Sequence, residues 1–461
     1  MKHLLKTSYL ILSLLALSLN TQVLAQDLTH PRDMEIPKSN FKRPDPAKYQ
    51  ISLDNGLVAY VVKEDQVPLV SFSAFIKAGK IDGLKEGAAE ALTQAFLTGP
   101  KNMSSTAFKA ALKRMTAEYT VILHNKWIEI NLNVPVEDLE EALNLFSATV
   151  ISPNISEANI TIAAGKTTKD IEVDKNGVII DGSSNVAVRK FHEIILKGNI
   201  LGKKLISSDF QDLTTKDVQN FYNNYVVAGN MTIAVSGDIN EKIIQNKLKS
   251  QFSSLINKKS PNQKNIPKIE RQKKKYHFFP ADKLQTWLVI GHPLEPVPFK
   301  DETAFEVMNY ILAGGHFWTR MFIETRDKYG LTNDASGYIE NQWDGSGSYS
   351  FHSSSRHDVT KQLYDNIMSV IYGIQKKSVS DEELMIAHNA LADGVFEMRF
   401  KDGNATARSF AIEKLKYGNH QHSKSYPTRV RSVSKKDVLR VANKYMHPEA
   451  FQVIIVGENI E

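Results

Sequence analysis

The sequence contains no cysteine. That excludes a thiolate nucleophile, a Cys-ligated zinc, an iron–sulfur cluster and any disulfide framework. A strong charge of either sign is also missing: 57 Lys and Arg stand against 51 Asp and Glu, a formal charge of +6 over 461 residues. So weak a field does not call for a polyanionic partner. Hydrophobic residues make up 42% and charged residues 23%, ordinary values for a folded chain that exclude both disorder and a multi-span membrane protein. At about 150 residues per domain, the length suggests two or three domains.

Two segments stand apart from the rest. Lys2, His3 and Lys6 precede an apolar run from Leu10 to Leu19, and Val23-Leu24-Ala25 comes just before Gln26-Asp27. This is the pattern of a cleaved secretory signal, residues 1–25, with an apolar stretch too short to span a bilayer. Without a Cys after the cleavage site there is no lipid attachment there. The expectation is export to the periplasm with no stable membrane span, in an oxidising space where a Cys-free chain avoids mispairing. The second segment, 258–275, carries Lys258, Lys259, Lys264, Lys268, Arg271, Lys273, Lys274 and Lys275 against Glu270 alone. Pro261 and Pro267 interrupt it and it lacks the aromatic residues that stack on bases, so it reads as a solvated linker rather than a nucleic-acid site.

A linker at mid-chain invites a search for a repeat. Leu213-Thr214-Thr215-Lys216-Asp217-Val218, Tyr225 and Met231 to Asp238 close the first half; Val433-Ser434-Lys435-Lys436-Asp437-Val438, Tyr445 and Phe451 to Glu458 close the second. Lys216, Asp217, Val218, Tyr225 and Gly237 each recur 220 positions later. Thr214 and Ser434 are N-cap hydroxyls with a carboxylate three residues on, which predicts a helix, a turn and a β-branched strand ending at Gly in each half.

Strands are expected at Val58–Val62, Leu69–Ile76, Gln285–Gly291 and around Tyr349–Phe351. Helices are expected at Gly87–Leu97, Val136–Ala148, Thr303–Leu312 and Asp358–Gln375, with a capping box at Ser380 and Glu383 before another. Trp127–Val134 alternates, Ile128, Ile130, Leu132 and Val134 facing inward and Glu129, Asn131 and Asn133 facing outward, the pattern of a half-buried strand. The fold class is α+β: two homologous sandwich domains, each an antiparallel-rich sheet with helices on one face, at 26–257 and 276–461 on either side of the linker.

The order of elements and several motifs resemble the pitrilysin or insulinase family of peptidases, in the branch that includes the mitochondrial processing peptidase. The motifs are Asp54-Asn55-Gly56-Leu57 before a strand, Ile76-Lys77-Ala78-Gly79 leading to the Gly87 helix, and the closing unit from Leu213 to Asp238. The second half adds Leu312-Ala313-Gly314-Gly315, Thr319-Arg320-Met321-Phe322 and the run from Glu324 to Leu331. The resemblance spans nearly all of the chain after residue 25 and implies that the two halves form one shell of a clamshell.

Members of that family hold zinc with H-x-x-E-H on the first long helix plus a distal Glu: two His one turn apart and a Glu as general base. Laid on this sequence, the pattern puts Glu90 and Gln94 at the His positions and Thr93 at the Glu, with the distal ligand near Asp170 or Glu172. An amide oxygen is a poor zinc ligand beside imidazole, Thr93 cannot accept a proton near neutral pH, and Glu90 alone cannot hold zinc. No other H-x-x-E-H, H-E-x-x-H or H-x-x-x-H occurs, and His352, His357, His420 and His422 read as surface residues. The expectation is no metal and no catalytic residue in this chain.

The family also contains zinc-free members that pair with a catalytic subunit and lend it an Arg and a Tyr seven residues apart. Here Arg326 stands at the Arg position and Asn333 at the Tyr, with Tyr329 and Tyr338 as alternatives for the phenol. Gly314 and Gly315 match the family's glycine-rich loop, where a peptide passes close to the backbone, and Gly314 also reads as a helix C-cap. The strand Gly345–Phe351 reads as a sheet edge that a peptide can extend. The resemblance thus implies a heterodimer with a zinc-bearing homologue, zinc in the partner and a peptide as substrate. The alternatives are a structural or peptide-binding protein without such a partner, and an active peptidase with an aberrant site.

Overall fold

In the computed structural model, which describes residues 41–166, 171–341 and 346–460, the β-branched runs form two sheets. The segment 1–25 and Asp170 lie outside the described residues. The first sheet contains β1 (Gln50–Ser52), β2 (Val58–Lys63), β3 (Leu69–Ile76), β4 (Glu118–Leu123), β5 (Ile128–Pro135) and β6 (Met231–Gly237), in the order β1-β2-β6-β3-β5-β4. The second contains β7 (Lys275–Pro280), β8 (Gln285–Leu294), β9 (Ala335–Asn341), β10 (Gly347–Arg356) and β11 (Gln452–Gly457), in the order β7-β11-β8-β10-β9. Apart from β1, the orders correspond strand for strand. In each sheet one pair is parallel, β2 with β6 and β7 with β11, and the others are antiparallel.

The helices used below are α1 (Ala88–Thr98), α2 (Leu139–Ile151), α3 (Glu157–Gly165), α4 (Ser184–Ile195), α5 (Thr215–Tyr225), α6 (Phe299–Asn309), α7 (Gly403–Tyr417) and α8 (Lys435–Tyr445). The repeat seen in the sequence has a direct structural cause. The α5 and α8 N-termini carry reciprocal caps: Asp217 accepts from the Thr214 amide at 2.9 Å and Asp437 from the Ser434 amide at 3.1 Å, while each hydroxyl accepts from the carboxylate residue's own amide. Gly237 and Gly457 end their strands at φ of +139° and +140°. A Cβ there would lie 2.1 Å from the Leu69 carbonyl oxygen and 2.6 Å from Thr286 Oγ1, so both conformation and space demand glycine.

Residues 42–461 form one compact unit, because the halves exchange helices. α4, from the first half, lies on β8 and β11 of the second sheet, burying Ala187, Phe191 and Ile195 against Val289, Ile454 and Val456. α7, from the second half, lies on β2, β3 and β6 of the first sheet, where Thr232 Oγ1 donates to the Ala411 carbonyl at 2.9 Å. Each sheet therefore has its own helices on one face, as at Phe72 and Phe146 with ring centroids 5.7 Å apart, and a helix of the other half on the opposite face.

This exchange alters the expected outward face of β5. Glu129 is buried, 7% exposed, beneath α7. Arg408 Nη2 donates to Glu129 Oε1 at 2.6 Å, and its Nη1 reaches Ser73 Oγ at 2.9 Å and Asn131 Oδ1. Glu129 and Asn131 of the polar stripe face the other half, while Asn133 bonds Glu118 of its own sheet.

Other expectations change for similar reasons. Segment 258–275 has no regular structure before Lys275, where β7 begins, and mostly exposed side chains, but it is tied down: buried Asp82 accepts from the Lys264 amide at 3.1 Å and from Gln263 Nε2 at 3.1 Å. The histidines expected at the surface are packed. His420 bonds Tyr60 Oη at 2.6 Å, His422 meets Glu302 at 3.0 Å and stacks on Tyr417, His357 meets Thr286 Oγ1 at 2.7 Å, and His352 packs at a tilt against Tyr338, with ring centroids 4.4 Å apart. Gly345 lies outside the described residues. Residues 347–351 belong to β10, which is bonded to β8 and β9 on its two sides and offers no free edge; the edge strand is β9.

Burial alone would raise the Glu129 carboxyl. His124, Arg408 and Asn131 overcome it and hold the group down to about 2 from 4.5. Because the folded-state value is depressed, this stabilisation is complete above pH 4.5 and fades as pH falls through about 2. Arg408→Met is expected to cost roughly 2 kcal/mol at pH 7, below the value for a fully buried pair because 26% of the arginine is exposed. Urea unfolding from pH 7 to pH 2 checks this, and the gap between variant and wild type should narrow as the pH falls.

Candidate functional site

The site is built on α1, which enters at Gly87 with φ +79°. A Cβ there would stand 2.6 Å from the Phe210 ring. The Asp54-Asn55-Gly56-Leu57 turn serves the same framework: Gly56 sits at φ +88°, and the Asn55 amide donates to the Phe252 and Leu255 carbonyls at 2.8 and 3.1 Å. Gly79 passes so close to Asn125 that a Cβ would fall 2.3 Å from its carbonyl carbon.

From α1, Glu90, Thr93 and Gln94 line a cavity of about 790 Å³. Val121 and Leu123 of edge strand β4 and Lys166 after α3 line it with them. Arg189, His192 and Glu193 of α4 form another part of the wall, and Glu340 of β9 and Ser348 of β10 come from the second half. Helix exchange thus sets α4 in the same chamber as α1.

The three family positions do not fit zinc. Thr93 Oγ1 donates to the Ala89 carbonyl of its own helix at 2.8 Å. Gln94 Oε1 accepts from Lys166 Nζ at 2.9 Å, so an ammonium already occupies the amide oxygen. The Glu90 carboxyl is pushed up by burial, with its own backbone hydrogen bond and the charge of Lys80 opposing the shift. Glu172 is exposed and outside the lining. Among the described residues no three His, Asp or Glu are grouped to hold a metal ion.

The opposite wall is ionic. Glu193 accepts from Arg189 Nε at 3.1 Å and Lys190 Nζ at 3.4 Å and also pairs with Lys204. These cations outweigh its burial and lower its carboxyl. His192 Nε2 stands 2.7 Å from Glu340 Oε2, and Ser348 Oγ donates to the same carboxylate at 3.1 Å. The pair from α4 to β9 joins the two halves inside the chamber.

The remaining sequence candidates lie elsewhere. Arg326 is exposed, its guanidinium 4.8 Å from the Phe322 centroid and 5.7 Å from that of Phe317. Asn333 is exposed in the bend before β9. Of the alternatives for the phenol, Tyr329 is 45% and Tyr338 43% exposed. Gly314 ends a π-helical turn, Tyr310–Gly314, and is not a left-handed C-cap; the left-handed residue is His316, at φ +55°. Glycine is required here by crowding: a Cβ on Gly314 would lie 2.6 Å from Asn309 Nδ2, and one on Gly315 2.7 Å from the Tyr310 ring. Arg326, Asn333, Gly314 and Gly315 are all absent from the lining of the α1 cavity. The lining residues Lys80, Lys166, Arg189, His192, Glu193 and Glu340 carry no motif, and only the folded chain brings them together.

Residues 212–391 match a family model described as Peptidase M16 inactive domain. The chain is 21% identical over 420 residues to an uncharacterized zinc protease of Rickettsia felis, covering 88% of this chain and 90% of that protein. In fold it resembles the crystal structure of a peptidase M16 inactive domain from Pseudomonas fluorescens, at a TM-score of 0.73, 16% identity and coverage of 89% and 98%. It also resembles a protease from Helicobacter pylori, at a TM-score of 0.66, 18% identity and coverage of 89% and 99%. The two-half α+β fold of these solved structures is therefore present here, with Glu90, Thr93 and Gln94 on α1.

Because Arg326 is itself exposed and its ring contacts are cation–π contacts to Phe322 and Phe317, Arg326→Ala should change stability by less than about 1 kcal/mol. A thermal melt that shifts by more would mean that the side chain is structural.

Proposed function

We propose that this protein is a non-catalytic member of the peptidase family that pairs with a zinc-bearing homologue and helps to enclose and bind peptides in the periplasm. The observation that carries this reading is the contrast between an intact two-half framework with an open chamber and a metal position where the Thr93 hydroxyl and the Gln94 oxygen are spent on other bonds. Loss of stability would have removed the framework as well. Arg326 supports the pairing, since an exposed guanidinium held on two aromatic rings is oriented and free to meet a peptide carbonyl or carboxylate on another subunit. Asn333 is too short to take the role of a phenol, so Tyr329, four residues earlier, or Tyr338 on β9 is left to supply it. The periplasmic placement rests on residues 1–25. Among the described residues no helix is long and apolar enough to cross a membrane.

Co-expression with a homologue that carries H-x-x-E-H tests the pairing. The two chains should co-purify, and peptide hydrolysis by the pair should exceed that of the homologue alone. Arg326→Ala in this chain should lower kcat/KM of the pair about tenfold, with the pair's zinc content unchanged. A homologue equally active without this chain would sink the proposal.

A further inference from the structure

Gln94 is 9% exposed, yet its amide nitrogen has no protein acceptor among the described residues and belongs to a side chain that lines the cavity. Its oxygen is held by the Lys166 ammonium, which has three donors and uses one of them there. Lys80 lies on the same wall, near enough to Glu90 to act on its carboxyl. The carboxylates of α4 and β9 are already engaged, Glu193 with Arg189 and Lys204 and Glu340 with His192 and Ser348. Among the described residues, the Gln94 amide and the Lys166 and Lys80 ammonium groups thus keep donors to spare beside α1, where the family would place its cation.

We propose that the altered metal position is a carboxylate receptor, in which the Gln94 amide and the ammonium groups of Lys166 and Lys80 take a carboxylate of the enclosed peptide. A fixed positive charge in a partly enclosed chamber attracts an anion more strongly than one on an open surface. The Gln94–Lys166 bond fixes the amide so that its N–H groups point away from the lysine. Glu90 opposes an incoming carboxylate, and its removal should strengthen binding. The carboxylate is either the peptide's C-terminus or an Asp or Glu side chain. This inference rests on the reading of the chain as a peptide-enclosing subunit.

The test is fluorescence anisotropy of the purified full chain with three labelled peptides of one length: a neutral peptide with a free C-terminus, an amidated peptide with one central Glu, and an amidated peptide with Gln in its place. At least one acidic form should bind about tenfold more tightly than the neutral amidated form, and which one does so identifies the source of the carboxylate. Lys166→Met should abolish that preference, and Glu90→Gln, close in shape to the native side chain, should increase it. Equal binding of all three peptides overturns the receptor while peptide binding stands. No binding of any peptide overturns both. An unchanged preference in Lys166→Met and Glu90→Gln also overturns the receptor.

Discussion

The structure depends on one constraint: each sheet is completed by a helix that the other half supplies. α7 covers the first sheet and α4 the second, so neither half can bury both faces of its own strands. On the first sheet the contact is ionic as well as apolar. Burying the Arg408–Glu129 pair is favourable only because Asn131, Ser73 and His124 complete its environment. A half taken alone would expose Glu129 and the other polar residues of β5 together with the apolar faces of β2 and β6.

The same exchange makes the chamber. α4 leaves the first half to lie on the second sheet, and in doing so places Arg189, His192 and Glu193 opposite Glu90 and Gln94. The His192–Glu340 contact then ties α4 to β9. The chamber is thus a product of both halves, and its charge arrangement cannot be assigned to either. Within it the α1 residues Glu90, Thr93 and Gln94 share a wall with Lys80 and Lys166.

Much of the architecture was legible in the sequence because it is locally encoded. The caps at Thr214 and Ser434 and the strand-ending Gly237 and Gly457 each have a short-range steric or hydrogen-bonding cause, so the repeat could be read without coordinates. Glu90, Thr93 and Gln94 were singled out by the family resemblance alone, and the structure places all three on α1. What escaped the sequence is long-range. Glu129, Asn131 and Asn133 alternate as a solvent face would, and nothing nearby in the chain announces α7. His352, His420 and His422 appear isolated until Tyr338, Tyr60 and Glu302 arrive from distant segments. Lys166 lies 72 residues from Gln94, and Gly345–Phe351 looked like an edge because β9 and β8 flank it only in the folded sheet.

The proposed non-catalytic role requires that the framework is kept here with its metal chemistry removed. Zinc content and peptide hydrolysis, measured on this chain purified by itself after incubation with excess zinc and dialysis, test that claim most directly. The account predicts far less than one zinc per chain and no hydrolysis above the metal-free control. One zinc per chain together with peptide cleavage, both lost in Glu90→Ala, would contradict it.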